Sequence, residues 1–244
     1  MKTEWICGIN AVKEALNSNL SFEQVLVNSK IRNTEFKSLA VELKEKNIPF
    51  KSVPVAALNR LYKGAHQGII AFVSPIEYFS LEDILNQVYS DGRLPFILIL
   101  DQLTDVRNFG AVSRSARAFG IDAIVIPVHN SVQVSPDAIK TSVGALLNIS
   151  VCRVQKTIDA VRLCQETGLN VIGLTEKSKM LISESDLSLP LALVVGNEQK
   201  GISTEVLNIL KRTVRIPMVS GWDSLNVSVA SGLAMYKVFE KLKH

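Results

Sequence analysis

The sequence predicts an α/β protein: a C-terminal domain built on a mostly parallel sheet, preceded by a small α/β domain. Three observations carry this expectation. From Pro95 onward, short apolar runs of strand length alternate with helical patterns. Such alternation implies parallel strands joined by crossover helices that cover both faces. Residues 1 to about 74 carry a strand and helix set of their own. Between the two, Pro75 and Pro95 bracket a stretch of shifted composition, PIEYFSLEDILNQVYSDGRL. The expected division is therefore a first domain at 1–75, a linker with its own helix at 76–94, and a second domain at 95–244.

In the first domain, GINAVKEALNS places Ile9, Val12 and Leu16 at helical spacing. FEQVLVN reads as a short strand. TEFKSLAVELKEKN is an amphipathic helix with Phe36, Leu39, Val41 and Leu43 among charged positions. Pro49 closes it, and Pro54 permits a further short helix through Leu61. GAHQGIIAFVSP leads from a glycine-flanked loop into an apolar strand over Ile69–Val73. His66 and Gln67 in that loop read either as turn chemistry or as contacts to a ligand or nucleic acid.

In the second domain, FILILD, DAIVIP, ISVCRV, NVIGLT, LALVVG and TVRIPM read as strands. The helices between them are NFGAVSRSARAFG, SPDAIKTSVGAL, TIDAVRLCQETG and STEVLNIL. Gly120 and Gly168 mark helix ends, and Ser135 with Pro136 marks a start. The last helix is unusually rich in small residues: Ser228, Ala230, Ser231, Gly232 and Ala234. Glycine within a helix costs roughly 1 kcal/mol relative to alanine, so this helix is expected to press against another backbone. Ser224 and Asn226 stand where it begins, and each could cap it. Ile216-Pro217-Met218 reads as the end of the strand before it.

Composition bounds the function. The 244 residues are 47% hydrophobic, enough for a substantial core. No apolar run approaches the roughly 18 residues a membrane span needs. The start, MKTEWICGINAVKEAL, has mixed charge and no small-residue cleavage site, so no secretory leader is expected. Cys7, Cys152 and Cys164 are an odd number without C-x-x-C spacing. That pattern favours reduced thiols in a cytoplasm over disulfides or zinc. A formal net charge of +4 permits a polyanionic partner without requiring one.

Ligands of open α/β sheets gather beyond the carboxyl ends of the strands. Three loops leave strand ends carrying unusual polar residues: LDQLTDVRNFGAVSRSA at 100–116, VVGNEQKGIS at 194–203, and the stretch from Ile216 to Asn226. Rival motifs fit poorly. No G-x-G-x-x-G follows a strand. Gly196 to Ser203 imitates a phosphate-binding loop, but Ile202 stands where the lysine belongs. His66, His129 and His244 are scattered, so neither a hydrolytic triad nor a metal site is expected.

Together, NFGAVSRSARAFG, LALVVGNEQKGIS and IPMVSGWDSLNVSVASGLAMYK closely resemble the three signature motifs of the SpoU (TrmH) family. These are RNA ribose 2′-O-methyltransferases of the SPOUT superfamily. The front unit, with GINAVKEAL and HQGIIAFV, resembles the L30e-like RNA-binding domain of bacterial 23S rRNA guanosine 2′-O-methyltransferases. The resemblance implies a deep trefoil knot in the C-terminal part, S-adenosylmethionine as cofactor, and a homodimer. By position, it implies cofactor contacts from Gly196, Ile216 and Leu225, mainly through main-chain groups. It implies catalytic roles for Arg114, Asn108, Glu198, Ser224 and Asn226. Arg114 falls at the family's catalytic arginine. As an arginine it is an awkward base, with an intrinsic pKa above about 12. A clamp on the adjacent RNA phosphate is the physically easier role. Glu198 would fix a loop or pair with Arg114, and Arg107, Arg117 and Lys200 would be phosphate contacts or solvated surface. The resemblance implies S-adenosylmethionine-dependent 2′-O-methylation of an RNA ribose, first of all a guanosine of 23S rRNA. A tRNA ribose methyltransferase is the alternative within the class, and a non-catalytic RNA-binding or ribosome-assembly protein the alternative from another.

Overall fold

A computed structural model of the chain describes residues 4–18, 20–31, 34–221 and 224–243, with only the backbone described at Thr34 and Glu35. It divides into two compact units. One holds the chain up to Glu77 together with Gln133–Pro136, and the other holds Tyr78–Val132 and the chain from Asp137 onward.

The first unit is a four-stranded sheet in the order β1 (Trp5–Cys7), β4 (Ile69–Val73), β2 (Phe22–Asn28), β3 (Phe50–Val53). β4 runs antiparallel to β1 and β2, while β2 and β3 are parallel. Side chains alternate across the pleat. Val25, Val27, Ile69 and Ala71 therefore turn to one face, where they meet α1 (Ile9–Leu16) and α2 (Thr34–Glu45). Leu26 and Ile70 turn to the other and meet Leu58 of α3 (Val55–Leu61). With both faces covered, β4 reads as a continuous apolar run. β1 and β3 are absent from the sequence expectation: β1 spans three residues, and Lys51 and Ser52 interrupt β3.

The second unit is a seven-stranded sheet. Its order is β11 (Arg212–Val214), β9 (Asn170–Leu174), β10 (Leu191–Val195), β6 (Phe96–Leu100), β7 (Ala123–Pro127), β8 (Ser150–Val154), β5 (Tyr78–Phe79). Every pairing in it is parallel. Ile97, Ile99, Val125, Ala192 and Val194 pack on one face beneath α4 (Leu81–Ser90) and α7 (Thr157–Glu166). Leu98, Ile124 and Leu193 turn to the opposite face and are equally buried. α5 (Val106–Ala118) and α9 (Val227–Leu242) pack side by side, and the Phe119 ring meets Tyr236 and Phe239 at centroid distances of 5.9 and 5.7 Å.

The strand order positions the site. β6, β7 and β8 step outward in one direction. The chain then crosses back past β6, lays down β9 and β10 on the other side, and places β11 outermost. The direction of winding reverses between β6 and β10, the point where an open parallel sheet forms its crevice. Register aligns the strand ends there. Leu100 pairs with Val195, Val195 with Leu174, and Leu174 with Val214. The loops that follow these four strands leave the same edge at the same level.

Several elements differ from expectation. Residues 76–94 carry β5 and α4, and both belong to the second unit; Ser80 caps α4 by accepting from the Asp83 N–H at 3.4 Å. α5 begins at Val106 because Asp105 accepts the Asn108 N–H at 2.7 Å. Asn108 is thus the third helical residue and not its cap. The helix expected over 135–146 stops as α6 (Pro136–Thr141), because Val143 and Gly144 take positive φ values of 53° and 78° before a 3-10 turn at Ala145–Leu147. α8 covers only Thr204–Leu207. β11 ends at Val214, and Ile216-Pro217-Met218 lies beyond it. Proline offers no N–H to continue a ladder.

Candidate active site

At the crevice, the loop after β6 and the loop after β10 are tied together. The Asp101 N–H reaches the Val195 carbonyl at 2.8 Å, extending the strand ladder by one bond. The Asp101 carboxylate accepts the Ser203 N–H at 2.7 Å. The Asn197 amide donates to the Gln102 carbonyl at 3.4 Å, and its Oδ1 accepts the N–H groups of Gln199 and Lys200 at 3.0 and 2.7 Å. Asn197 and Gly201 also exchange backbone hydrogen bonds, closing residues 197–201 into a tight loop.

Gly196 is required by this closure. A β-carbon built on it would lie 1.9 Å from the Gly201 carbonyl carbon and 2.2 Å from the Ile202 nitrogen. Only glycine lets the returning chain pass so close. Gly110 has the same role within α5, where a β-carbon would meet the Thr141 side chain at 2.7 Å and the Ser142 nitrogen at 3.0 Å.

Three polar residues expected at the site form one hydrogen-bonded line. The Asn108 amide of α5 donates to the Glu198 carboxylate of the β10 loop. The Asn226 amide donates to Asn108 Oδ1 at 3.1 Å. Asn226 also caps α9, its Oδ1 accepting from the Ser228 N–H at 2.9 Å and the Ser228 hydroxyl at 2.5 Å. Side chains separated by 90 and 118 positions in the chain are thereby joined. Ser224 lies two residues before this cap and leaves the capping to Asn226.

Beside this line opens a cleft of about 330 Å³. Gly196, Ile216 and Leu225, the three expected cofactor contacts, all line it, as do Glu198 and Ser224. Leu225 is 36% exposed within it, an apolar side chain left uncovered at a concave surface. Thr175, Glu176 and Lys177, after β9, also line the cleft. The sequence reading missed them: the strand before them was legible, but no glycine or amide marked the loop. Trp222 and Asp223, within the third motif, lie outside the described residues.

Arg114 stands apart from the line. It is exposed on α5, six residues beyond Asn108. At 100° and 1.5 Å per residue, it is turned about 120° from Asn108 and displaced about 9 Å along the axis. Glu198 is engaged by Asn108, and among the described residues no acid pairs with Arg114. Arg107, Arg117 and Lys200 are likewise exposed. His66 is 7% exposed in the first unit and fully engaged in turn chemistry. Its Nδ1 accepts the Gly68 N–H at 2.9 Å and its Nε2 lies 2.7 Å from Asn59 Oδ1. Among the described residues, no cluster of His, Cys, Asp and Glu could hold a metal ion. No helix among them is long and apolar enough to cross a membrane.

A cleft at the switch point of a parallel sheet, floored by a glycine loop and flanked by an Asn–Asn–Glu line, defines a small-molecule-binding α/β enzyme domain. The chain belongs to the SpoU rRNA Methylase family, whose pattern matches residues 95–236. Residues 5–79 match the pattern described as RNA 2'-O ribose methyltransferase substrate binding. The chain is thus an RNA methyltransferase with an N-terminal substrate-binding domain. A protein of Staphylococcus saprophyticus assigned to the TrmH family of tRNA/rRNA methyltransferases is 33% identical over 236 residues, 97% of this chain and 95% of the relative. YacO of Bacillus subtilis, assigned to the same family, is 33% identical over 238 residues, 98% of this chain and 96% of the relative. Among solved structures, an RNA 2'-O ribose methyltransferase superposes with a TM-score of 0.56 at 26% identity, covering 99% of this chain and 90% of that one. The AdoMet-bound rRNA methyltransferase from Sinorhizobium meliloti gives a TM-score of 0.63 at 20% identity, over 98% and 88% of the two chains.

Proposed function

We propose that this protein transfers the methyl group of S-adenosylmethionine to a ribose 2′-hydroxyl in RNA, a guanosine of 23S rRNA, in the bacterial cytoplasm. The observation that carries the reading is the convergence of Gly196, Ile216 and Leu225 on one cleft beside the Asn226–Asn108–Glu198 line. The cleft offers main chain at Gly196 and apolar surface at Ile216 and Leu225. That combination suits a purine, whose edge pairs with backbone groups and whose faces are apolar.

The cofactor, when bound, supplies a methyl group on a positively charged sulfur, already a good leaving group. The protein must add position and a route for one proton. Asn108 is fixed at both ends of its amide, by Glu198 and by Asn226, and holds the two other loops in register. Its partner Asn226 and the cleft-lining Ser224 then orient the ribose at the mouth of the cleft. Arg114 clamps the phosphate next to the target nucleotide. With the methyl taken up by the 2′-oxygen and the sulfur released as a neutral thioether, the 2′-hydroxyl proton would leave to water or a neighbouring group.

The protein acts as a homodimer, and its C-terminal chain threads into a trefoil knot around the cleft. Val229, Leu233 and Tyr236 support the dimer. They are 50, 45 and 47% exposed and follow one another at helical spacing along α9. Gly232 adds to this. A β-carbon there would come no closer than 3.6 Å to Ser115, so packing on α5 alone does not require the glycine. The outward turn of Arg114 supports its serving the cleft of the second copy.

The substrate-binding match over residues 5–79 supports an RNA substrate. The tRNA/rRNA description of the relatives makes tRNA the second reading. The test is methyl transfer from labelled S-adenosylmethionine to unmodified 23S rRNA and tRNA. Label at a guanosine ribose of 23S rRNA is expected. Label in tRNA alone would establish the second reading, and label in neither would overturn both.

A further inference from the structure

Asp101 opens the first of the three polar loops but touches no part of the Asn–Asn–Glu line, and it is only 2% exposed just beyond the end of the central strand β6. A carboxylate withdrawn from water is costly unless hydrogen bonds compensate it. Its compensation comes from the neighbouring loop. The carboxylate accepts the Ser203 N–H at 2.7 Å; separately, the Asp101 backbone N–H donates to the Val195 carbonyl at 2.8 Å. Val195 and Ser203 are the two ends of the loop that carries Gly196 and Glu198. Asp101 therefore grips that loop at its entry and its exit. Nothing at the entry can yield, because Gly196 is already packed against Gly201 and Ile202. The exit is the end a single side chain controls.

We infer that Asp101 is a positioning residue that sets the height of the Gly196–Gly201 loop over the cleft, and through it the affinity for the methyl donor. The inference rests on the function proposed above. It assigns Asp101 no contact with cofactor or RNA. A charge-assisted hydrogen bond of this kind is worth about tenfold in an equilibrium constant. Removing it frees Ser203 and lets the loop rise from the crevice.

The experiment compares wild type, Asp101→Ala and Asp101→Asn as full-length chains. Calorimetric titration with S-adenosylmethionine is read beside amide hydrogen exchange of the unliganded proteins. Asp101→Ala is expected to weaken donor binding by about tenfold and to raise KM for the donor in step. The kcat at saturating donor should fall as well, because Glu198 rides on the same loop, while KM for RNA should stay within about twofold. Exchange should rise across residues 196–203 and stay unchanged in β2. Asp101→Asn keeps an oxygen for the Ser203 N–H without the charge and should recover part of both readings. A folded Asp101→Ala protein with wild-type exchange across 196–203 overturns the inference, and so does an Asn variant as loose as the Ala variant. Wild type that fails to bind the donor would instead sink the proposed function, while loop exchange would still decide the role of Asp101.

Discussion

Replacing Gly196 with alanine adds one carbon where the structure has no room. That carbon would stand 1.9 Å from the Gly201 carbonyl carbon, 2.1 Å from its oxygen and 2.2 Å from the Ile202 nitrogen. All three are backbone atoms, so no side chain can rotate away. Ordinary van der Waals contact begins at 3.4 Å, and the returning chain must retreat by about 1.5 Å. Val195 is held in the sheet between β6 and β9, so the movement falls on residues 197–202. These include Glu198 and the floor of the cleft. Overpacking of this sort costs on the order of 1–3 kcal/mol of stability. A misplacement of about 1 Å in a binding constellation can cost on the order of 100-fold in activity. The prediction is a folded Gly196→Ala protein with a lowered melting temperature, methyl transfer reduced on the order of 100-fold and weakened binding of S-adenosylmethionine by calorimetry. Wild-type affinity in a variant that melts normally would refute the claim that close passage of the chain at Gly196 shapes the cleft.

Other perturbations test other parts of the site. Asn108→Ala removes the shared partner of Glu198 and Asn226, and kcat/KM should fall on the order of 10- to 100-fold with donor affinity nearly unchanged; unchanged turnover would show the line to be structural only. Arg114→Ala should abolish methyl transfer and weaken RNA binding while leaving the melting temperature within about 1 °C, since exposed substitutions rarely exceed 0.5 kcal/mol; near-normal turnover would remove Arg114 from the mechanism. Burial pushes the Cys152 and Cys164 thiols from 9.0 up to about 12, and at Cys152 the charges of Cys164 and Asp83 add to the shift. The folded pKa lies above the unfolded one, so the stabilisation is complete below pH 9 and declines as pH rises toward 12, by about 1.4 kcal/mol per unit for each thiol at most. Urea midpoints that fall between pH 9 and 11 in wild type, and fall less in a Cys164→Ala variant, would bear this out; parallel pH profiles would contradict it.

The alternation of apolar runs and helical patterns was legible because parallel strands covered on both faces are apolar throughout, as FILIL and LALVV are. Strand order was not legible, since nothing in Asn170–Leu174 announces that it crosses to the far side of β6. The short strands escaped for a related reason: β5 has two residues and β3 has polar residues at its centre. Gly196 was recognisable as a glycine after an apolar strand, but its necessity depends on Gly201 and Ile202 folding back onto it. The meeting of Asn108, Glu198 and Asn226 could be expected from the resemblance of their motifs and not from their spacing, because they lie on a helix, a loop and a helix cap that follow three different strands. The 100–116 loop was recognisable but the part played by Asp101 in it was not, and the Thr175–Lys177 segment gave no signal, for their importance comes from where neighbouring loops rest.

The central claim is that loops after three strands converge on one cleft that grips a methyl donor. The most direct measurement is a crystal structure of the protein grown with S-adenosylmethionine. The account predicts one donor molecule per chain, with its adenine against Gly196, Ile216 and Leu225 and its methyl group facing the Asn108–Asn226 pair. A donor bound elsewhere on the chain, with that cleft empty, would contradict it.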